Sequence, residues 1–229
     1  MDASLRKEIL EAYADLRVTD VRDGMDNLML HYTGSVGPAI RPLERRRAYG
    51  IARTARYVAY TGNVPDLGEE EYWDWSSMYY RDICPYPWIE DIEDGDFVAI
   101  DMSGLNVGLM GSDNTLSCIR KGAHGIVCDG GVRDTDEIIA QSVPFWSRSI
   151  AQTMVQGRLQ FDAKDVPVSI DGAYVRPGDV IVADGDGLIV VPQEKALDVA
   201  RLAHAEHDRD KKRRRAHYEA LGWQPDETV

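Results

Sequence analysis

Two stretches constrain this chain more than any others. "GDFVAIDMSG" (Gly95 to Gly104) and "GDVIVADGDG" (Gly178 to Gly187) share a Gly-Asp turn, an apolar run of four and an acidic exit. Such short apolar runs read as buried strands punctuated by turns. Between them, "NTLSCIRKGAHGIVCDGG" passes from a helix carrying Leu116 and Ile119 into a strand at Gly125 to Cys128, a βαβ-like unit. The chain is therefore expected to be an α/β protein.

The flanks fit that reading. Leu5, Ile9, Ala12, Tyr13 and Leu16 recur at helical spacing behind a candidate cap at Ser4, and Thr19 or Asp20 is placed to cap a second helix. "YGIARTARYVAY" (Tyr49 to Tyr60) reads as a strand, and "VPVSIDGAYVRPGD" as a hairpin turning at Asp171-Gly172. An acidic, aromatic segment at about 62–90 is too apolar for a linker and too irregular for one helix. It is expected to be an embellishment of the kind that serves as a lid or a subunit contact. Helical sequence resumes at about 193 and runs to about 221, so one domain over 1–229 is expected.

Charge narrows the partners. With 26 Lys+Arg against 39 Asp+Glu, the net charge of -13 repels a phosphate backbone, so no nucleic acid is expected despite "RDKKRRR" on the last helix. That run reads as a solvated face. No apolar run approaches the roughly 20 residues of a membrane span, and the charged N-terminus does not read as an export signal. Cys84, Cys118 and Cys128 have no metal-like spacing and read as reduced thiols, which implies a cytoplasmic protein.

The candidate chemistry sits on two glycine-containing turns, "LMGSDN" (Leu109 to Asn114) and "DGGVRDTDE" (Asp129 to Glu137). The first opens a helix, with Ser112 or Asp113 as the expected N-cap and free backbone N–H groups that can hold a carboxylate. The second ends a strand and carries Arg133, whose planar fork suits bidentate carboxylate binding. Asp134 offers the hard oxygen ligand that Mg2+ or Mn2+ takes, with much of the shell left to water. A purely structural role is equally available: Asp134 and Glu137 have the spacing of a capping box, and Arg133 could pair with Asp136. His204 and His207 have no third ligand at an obvious spacing and read as surface histidines.

At these residues the sequence resembles the RraA-like family, which includes class II 4-hydroxy-4-methyl-2-oxoglutarate/4-carboxy-4-hydroxy-2-oxoadipate aldolases as well as an RNase E regulator. The resemblance runs from about Val21 to the C-terminal helix and rests on "LMGSDN", "KGAHGIVCDGGVRDTDEI", "VPFWSRS" and "VRPGDVIVADGDGLIVVP" in that order. It implies a β/β/α sandwich resembling the swivelling phosphohistidine domain, assembled as homotrimers or hexamers with active sites between subunits. It also implies that Arg133 and Asp134 bind a pyruvyl carboxylate and a divalent metal. Gly111, Ser112, Asp113 and Asn114 would then hold the substrate through the preceding turn, with Asn63 contributing from the loop after the first long strand. A neighbouring subunit's last helix would bring an acid near the metal, Glu206 by position, or Asp208. One departure stands out: many aldolases carry an acid where this chain has Ser112, and Asp113 follows one step later.

The implied activity is a Mg2+- or Mn2+-dependent lyase of a 2-oxo acid, cleaving by retro-aldol reaction to pyruvate or decarboxylating an oxaloacetate-like substrate. No histidine or lysine sits in these motifs, so proton transfer falls to Asp113 or Asp134 through water. Two rivals keep the same residues: a metal-dependent dehydratase or hydrolase of a sugar acid, and a non-enzymatic regulator that binds a basic partner.

Overall fold

The computed structural model describes residues 1–229. Eleven strands follow in chain order: β1 (Arg41–Pro42), β2 (Ala48–Ala59), β3 (Asp96–Asp101), β4 (Gly108–Met110), β5 (Ala123–Val132), β6 (Phe145–Ile150), β7 (Leu159–Lys164), β8 (Val168–Ile170), β9 (Ala173–Val175), β10 (Val180–Asp184) and β11 (Gly187–Val191). Six α-helices accompany them: α1 (Ala3–Tyr13), α2 (Val18–Asp26), α3 (Glu69–Met78), α4 (Ser112–Lys121), α5 (Thr135–Ala140) and α6 (Ala196–Leu221).

Nine strands make one mixed sheet in the order β1-β6-β5-β3-β2-β10-β11, with β4 added to β5 and β7 to β2. The two echoing runs become β3 and β10. All of β3 is buried because it lies inside the sheet with both faces covered, which is why its sequence does not alternate. On one face Phe97 and Ala99 pack with Val127 and Trp146 under the β8–β9 hairpin. On the other, Val98 and Ile100 pack with Cys118, Ile126 and Ile138 beneath α4 and α5. The helices α1, α2 and α6 cover the same face further along, closing over Ile51, Val182 and Ile189. The result is the expected β/β/α sandwich. The hairpin turns at Asp171 and Gly172, both at positive φ (40° and 87°), as the Asp-Gly dipeptide predicts.

Several local expectations need correction. Helix α1 is capped by Asp2, whose carboxylate accepts from the amide of Leu5 at 2.9 Å, so Ser4 lies inside the helix. His204 and His207 are not free surface groups. His204 Nε2 lies 2.9 Å from the carbonyl of Ala12, and His207 Nδ1 lies 2.9 Å from Asp20 Oδ2, so both tie α6 to the helices beneath it.

The segment at about 62–90 is not a detachable lid. Trp88 and Tyr79 are fully buried, and the Trp88 indole donates to the Tyr57 hydroxyl at 2.8 Å. The Tyr57 hydroxyl donates in turn to the carbonyl of Pro85, and Tyr79 donates to the carbonyl of Leu159. The part that looked irregular is a helix, α3, running into a π-helical turn (Tyr79–Ile83) and a 3-10 turn (Pro87–Asp91). That mixture gives no single periodicity.

Candidate active site

Strands β3, β4, β5 and β6 run parallel, so their C-terminal ends lie along one edge of the sheet. In parallel sheets this edge is where ligands bind, because each strand there feeds a loop and often a helix start. Beside β5 the backbone amide of Arg133 donates to the carbonyl of Met110 at 2.9 Å. This fixes the turn after β4 against the turn after β5, and the two glycine-containing motifs meet.

Asp134 sits in the left-handed region, with φ 54° and ψ 39°. An ordinary side chain there costs on the order of 1–2 kcal/mol, which aspartate tolerates better than most. The conformation turns its carboxylate away from its own helix. Asp134 makes no side-chain cap on α5, so the capping-box reading does not hold. Its Oδ2 accepts instead from the amide of Ser112 at the start of α4, at 3.3 Å. The expected N-cap is also displaced: Gly111 occupies that position, and neither Ser112 nor Asp113 caps the helix. Arg133 pairs with Asp134 (Nε to Oδ1, 3.5 Å), not with Asp136.

Gly111 is required by approach, not by backbone angle, since its φ of -136° is ordinary extended backbone. A Cβ on it would lie 2.4 Å from Asp134 Oδ2. A Cβ on Gly108 would likewise meet the carbonyl of Thr153 at 2.5 Å and the Arg133 side chain at 3.0 Å. The two glycines let Arg133 and Asp134 lie against the turn.

The outcome is an open cleft of about 350 Å3. Gly111, Asp113, Asn114, Arg133 and Asp134 all line it. Arg133 and Asp134 keep about a third of their side-chain surface exposed, enough to meet a ligand. The amides of Asp113 and Asn114, in the first turn of α4, have no partner in the chain and provide donors for an anion. Asn63 and Glu206 do not line the cleft within one chain. Asn63 lies beside Tyr60, whose hydroxyl contacts its carbonyl at 3.4 Å. Glu206 is held by Arg209 and by the side-chain amide of Asn27, at 2.7 and 3.2 Å.

Sequence reasoning missed Tyr80 and Tyr86, which also line the cleft. The Tyr86 hydroxyl donates to the carbonyl of Leu109 at 2.9 Å, and burial raises its phenol well above the ordinary value, so it stays a donor. The only signal was the aromatic density of their segment, which does not say which rings face a site.

No cluster of three or more acidic, histidine or cysteine side chains forms a ready metal cage. The donor set still fits a hard cation. Mg2+ binds through one or two carboxylates and keeps several waters, and Asp134 presents one partly exposed carboxylate with Asp113 on the same cleft.

A family model described as RraA-like, Aldolase/RraA, matches residues 18–190. The chain belongs to the RraA-like family. A Halalkalibacterium halodurans protein, provisionally named a 4-hydroxy-4-methyl-2-oxoglutarate aldolase, is 30% identical over 203 residues, covering 87% of this chain and 82% of that one. The 4-hydroxy-4-methyl-2-oxoglutarate aldolase of Thermus thermophilus is 32% identical over 107 residues, which are 46% of this RraA-like chain and 64% of the enzyme. Among solved structures, an uncharacterized protein from Pseudomonas syringae pv. tomato superposes with a TM-score of 0.74 at 27% identity, covering 95% and 94% of the two chains. RraAS2 from Streptomyces coelicolor shares the fold, with a TM-score of 0.72 at 24% identity over 93% and 97%.

Proposed function

We propose that this RraA-like protein is a divalent-metal-dependent carbon–carbon lyase of a 2-oxo acid, cleaving by retro-aldol reaction to pyruvate or by oxaloacetate-type decarboxylation. The observation that carries the reading is the meeting of Arg133, Asp134 and the two unpartnered amides of α4 on one cleft. A guanidinium and two helix-start amides are what a 2-oxo carboxylate needs, and a carboxylate beside them is what a hard cation needs. The aldolase relatives support it.

Arg133 and the amides of Asp113 and Asn114 hold the substrate carboxylate and orient its 2-oxo group toward Asp134. Asp134, fixed by the amide of Ser112, would hold Mg2+ or Mn2+. A cation bound there would supply Lewis acidity toward the 2-oxo group and its developing negative charge. Asp113 accepts the proton of the C4 hydroxyl in the retro-aldol direction, directly or through water. The C3–C4 electron pair passes to C3, which is then protonated to give the methyl group of pyruvate; in the decarboxylation, CO2 leaves instead.

In the same reading the protein is a cytoplasmic homotrimer or hexamer, and Glu206 of one subunit approaches the cleft of the next. Light scattering gives the subunit number, and Glu206→Gln is expected to weaken metal affinity only if that approach occurs.

The test is hydrogen exchange. The protein is incubated with pyruvate in D2O, with Mg2+ or with EDTA, and the methyl proton signal is followed by NMR. Metal-dependent loss of signal is expected. Its absence from folded, metal-loaded protein would overturn the reading and leave the sugar-acid and regulatory alternatives.

A further inference from the structure

The apolar lining of the cleft comes from Tyr80, Tyr86 and Leu109. The two rings are stacked, with centroids 6.5 Å apart and planes inclined by 26°. They are held in place. Tyr79, next to Tyr80, is buried with its hydroxyl on the carbonyl of Leu159, and its own carbonyl accepts from the amide of Cys84 five residues on. That widened turn buries Tyr79 and leaves Tyr80 on the cleft, 36% exposed. The Tyr86 hydroxyl is already committed to Leu109. Tyr86 therefore presents ring surface to a ligand, and Tyr80 presents its ring with a hydroxyl at the edge.

The charges on the cleft favour one anionic group. Arg133 is the only cation among its lining residues, and Asp113 and Asp134 oppose it. A substrate with two carboxylates would place the second against Asp113 or against the rings, with no guanidinium or ammonium of the same chain to receive it. An apolar substituent meets the opposite situation, because flat groups stack on aromatic rings at modest cost in entropy.

We propose that the Tyr80–Tyr86 wall selects 4-hydroxy-2-oxo acids that carry a single carboxylate and a flat apolar group, such as an aryl ring, on C4. This rests on the lyase reading above. In the reaction the C3–C4 bond breaks, the C4 hydroxyl loses its proton and becomes the carbonyl of an aryl aldehyde, and C3 takes the electron pair and then a proton. The products are pyruvate and the aldehyde, with no oxidant or co-reactant consumed.

The experiment compares kcat/KM for 4-hydroxy-2-oxo-4-phenylbutanoate and for the dicarboxylate 4-hydroxy-2-oxoglutarate, with the full-length protein, Mg2+ and a pyruvate-coupled readout. The aryl substrate is expected to lead by about tenfold. Tyr80→Ala is expected to reduce that ratio by about tenfold, mainly through KM, and Tyr80→Phe to keep it, because the ring and not the hydroxyl makes the contact. Tyr80→Leu preserves bulk if the alanine variant folds poorly, and it should also lower the ratio. A preference for the dicarboxylate, cleavage of neither substrate, or a ratio insensitive to Tyr80 would overturn the proposal. The pyruvate exchange assay separates the two levels: exchange without aryl preference sinks only the wall, whereas no exchange sinks the lyase reading and the wall with it.

Discussion

Replacing Gly111 by alanine would place a methyl group 2.4 Å from Asp134 Oδ2, where ordinary contact begins near 3.4 Å. The carboxylate must therefore retreat by about 1 Å. The backbone has no reason to object, since Gly111 is extended at φ -136° and ψ -177°. The stability cost is then confined to the hydrogen bond from the amide of Ser112, worth about 1 kcal/mol, or about 2–4 °C in Tm for a chain of this size. The functional cost is far larger, because a displacement of about 1 Å in a group that holds a reacting centre can cost on the order of 100-fold in rate. The assay is metal-dependent exchange of the pyruvate methyl protons, read beside a thermal melt. Gly68→Ala is the control, since its Cβ would meet nothing closer than 3.7 Å. An exchange rate within twofold of the wild type for Gly111→Ala would refute the claim that the position of Asp134 sets activity. So would a loss of exchange matched by global unfolding.

Asp134→Gly should leave stability within about 1 kcal/mol of the wild type, since relief of the left-handed conformation offsets the lost hydrogen bond, while metal-dependent exchange disappears. Retained exchange would remove Asp134 from the mechanism. Trp88→Ala should destabilise by about 3–5 kcal/mol in a denaturant titration, because a fully buried ring bonded to Tyr57 is lost. A loss below about 1 kcal/mol would make the 62–90 segment separable after all. Burial pushes the Asp20 carboxyl up, but its hydrogen bonds from the Arg17 side chain and backbone and from His207 outweigh that and hold it below its ordinary range. A carboxyl whose folded value is depressed stabilises the fold above its unfolded value of about 4, and that contribution is lost as the pH falls through the folded value. Asp20→Asn should therefore flatten the acid limb of the stability profile, and an unchanged limb would assign acid sensitivity elsewhere.

The sheet was legible because its signals are local. The apolar runs at 97–100 and 180–183, the Asp171-Gly172 turn and the glycine-bounded motifs each state their own conformation. The site was half legible. Arg133 and Asp134 stand out by residue type, but the partner of Asp134 does not. Local capping rules assign Asp134 to α5, paired with Glu137 three residues on, whereas its left-handed backbone sends the carboxylate to Ser112, 22 positions earlier. Parallel pairing of β4 with β5 creates that meeting, and no short-range periodicity records it. Tyr80 and Tyr86 were hidden for a similar reason. A π-helical turn shifts the phase of the helix at Tyr79, so the face that each aromatic ring takes cannot be counted off from α3.

The cap that Asp134 gives to α4 also bears on why a cation belongs at this edge. Three first-turn amides of α4 attract anions, and Asp134 takes the one of Ser112, leaving those of Asp113 and Asn114. A substrate carboxylate on these two amides would sit at the same helix start as the Asp134 carboxylate, with Asp113 on the same cleft. Two acidic side chains and an anionic substrate then face a single guanidinium, Arg133, and the balance repels the ligand. A divalent cation on Asp134 reverses the sign. Substrate affinity should therefore depend on Mg2+ even in a variant that does no chemistry, and oxalate, an unreactive mimic of the 2-oxo carboxylate, provides the probe. Calorimetry should show oxalate binding with Mg2+ and at least about tenfold weaker binding with EDTA. Equal affinity in both would mean that Arg133 and the α4 amides suffice alone, and the electrostatic case for the metal would fall.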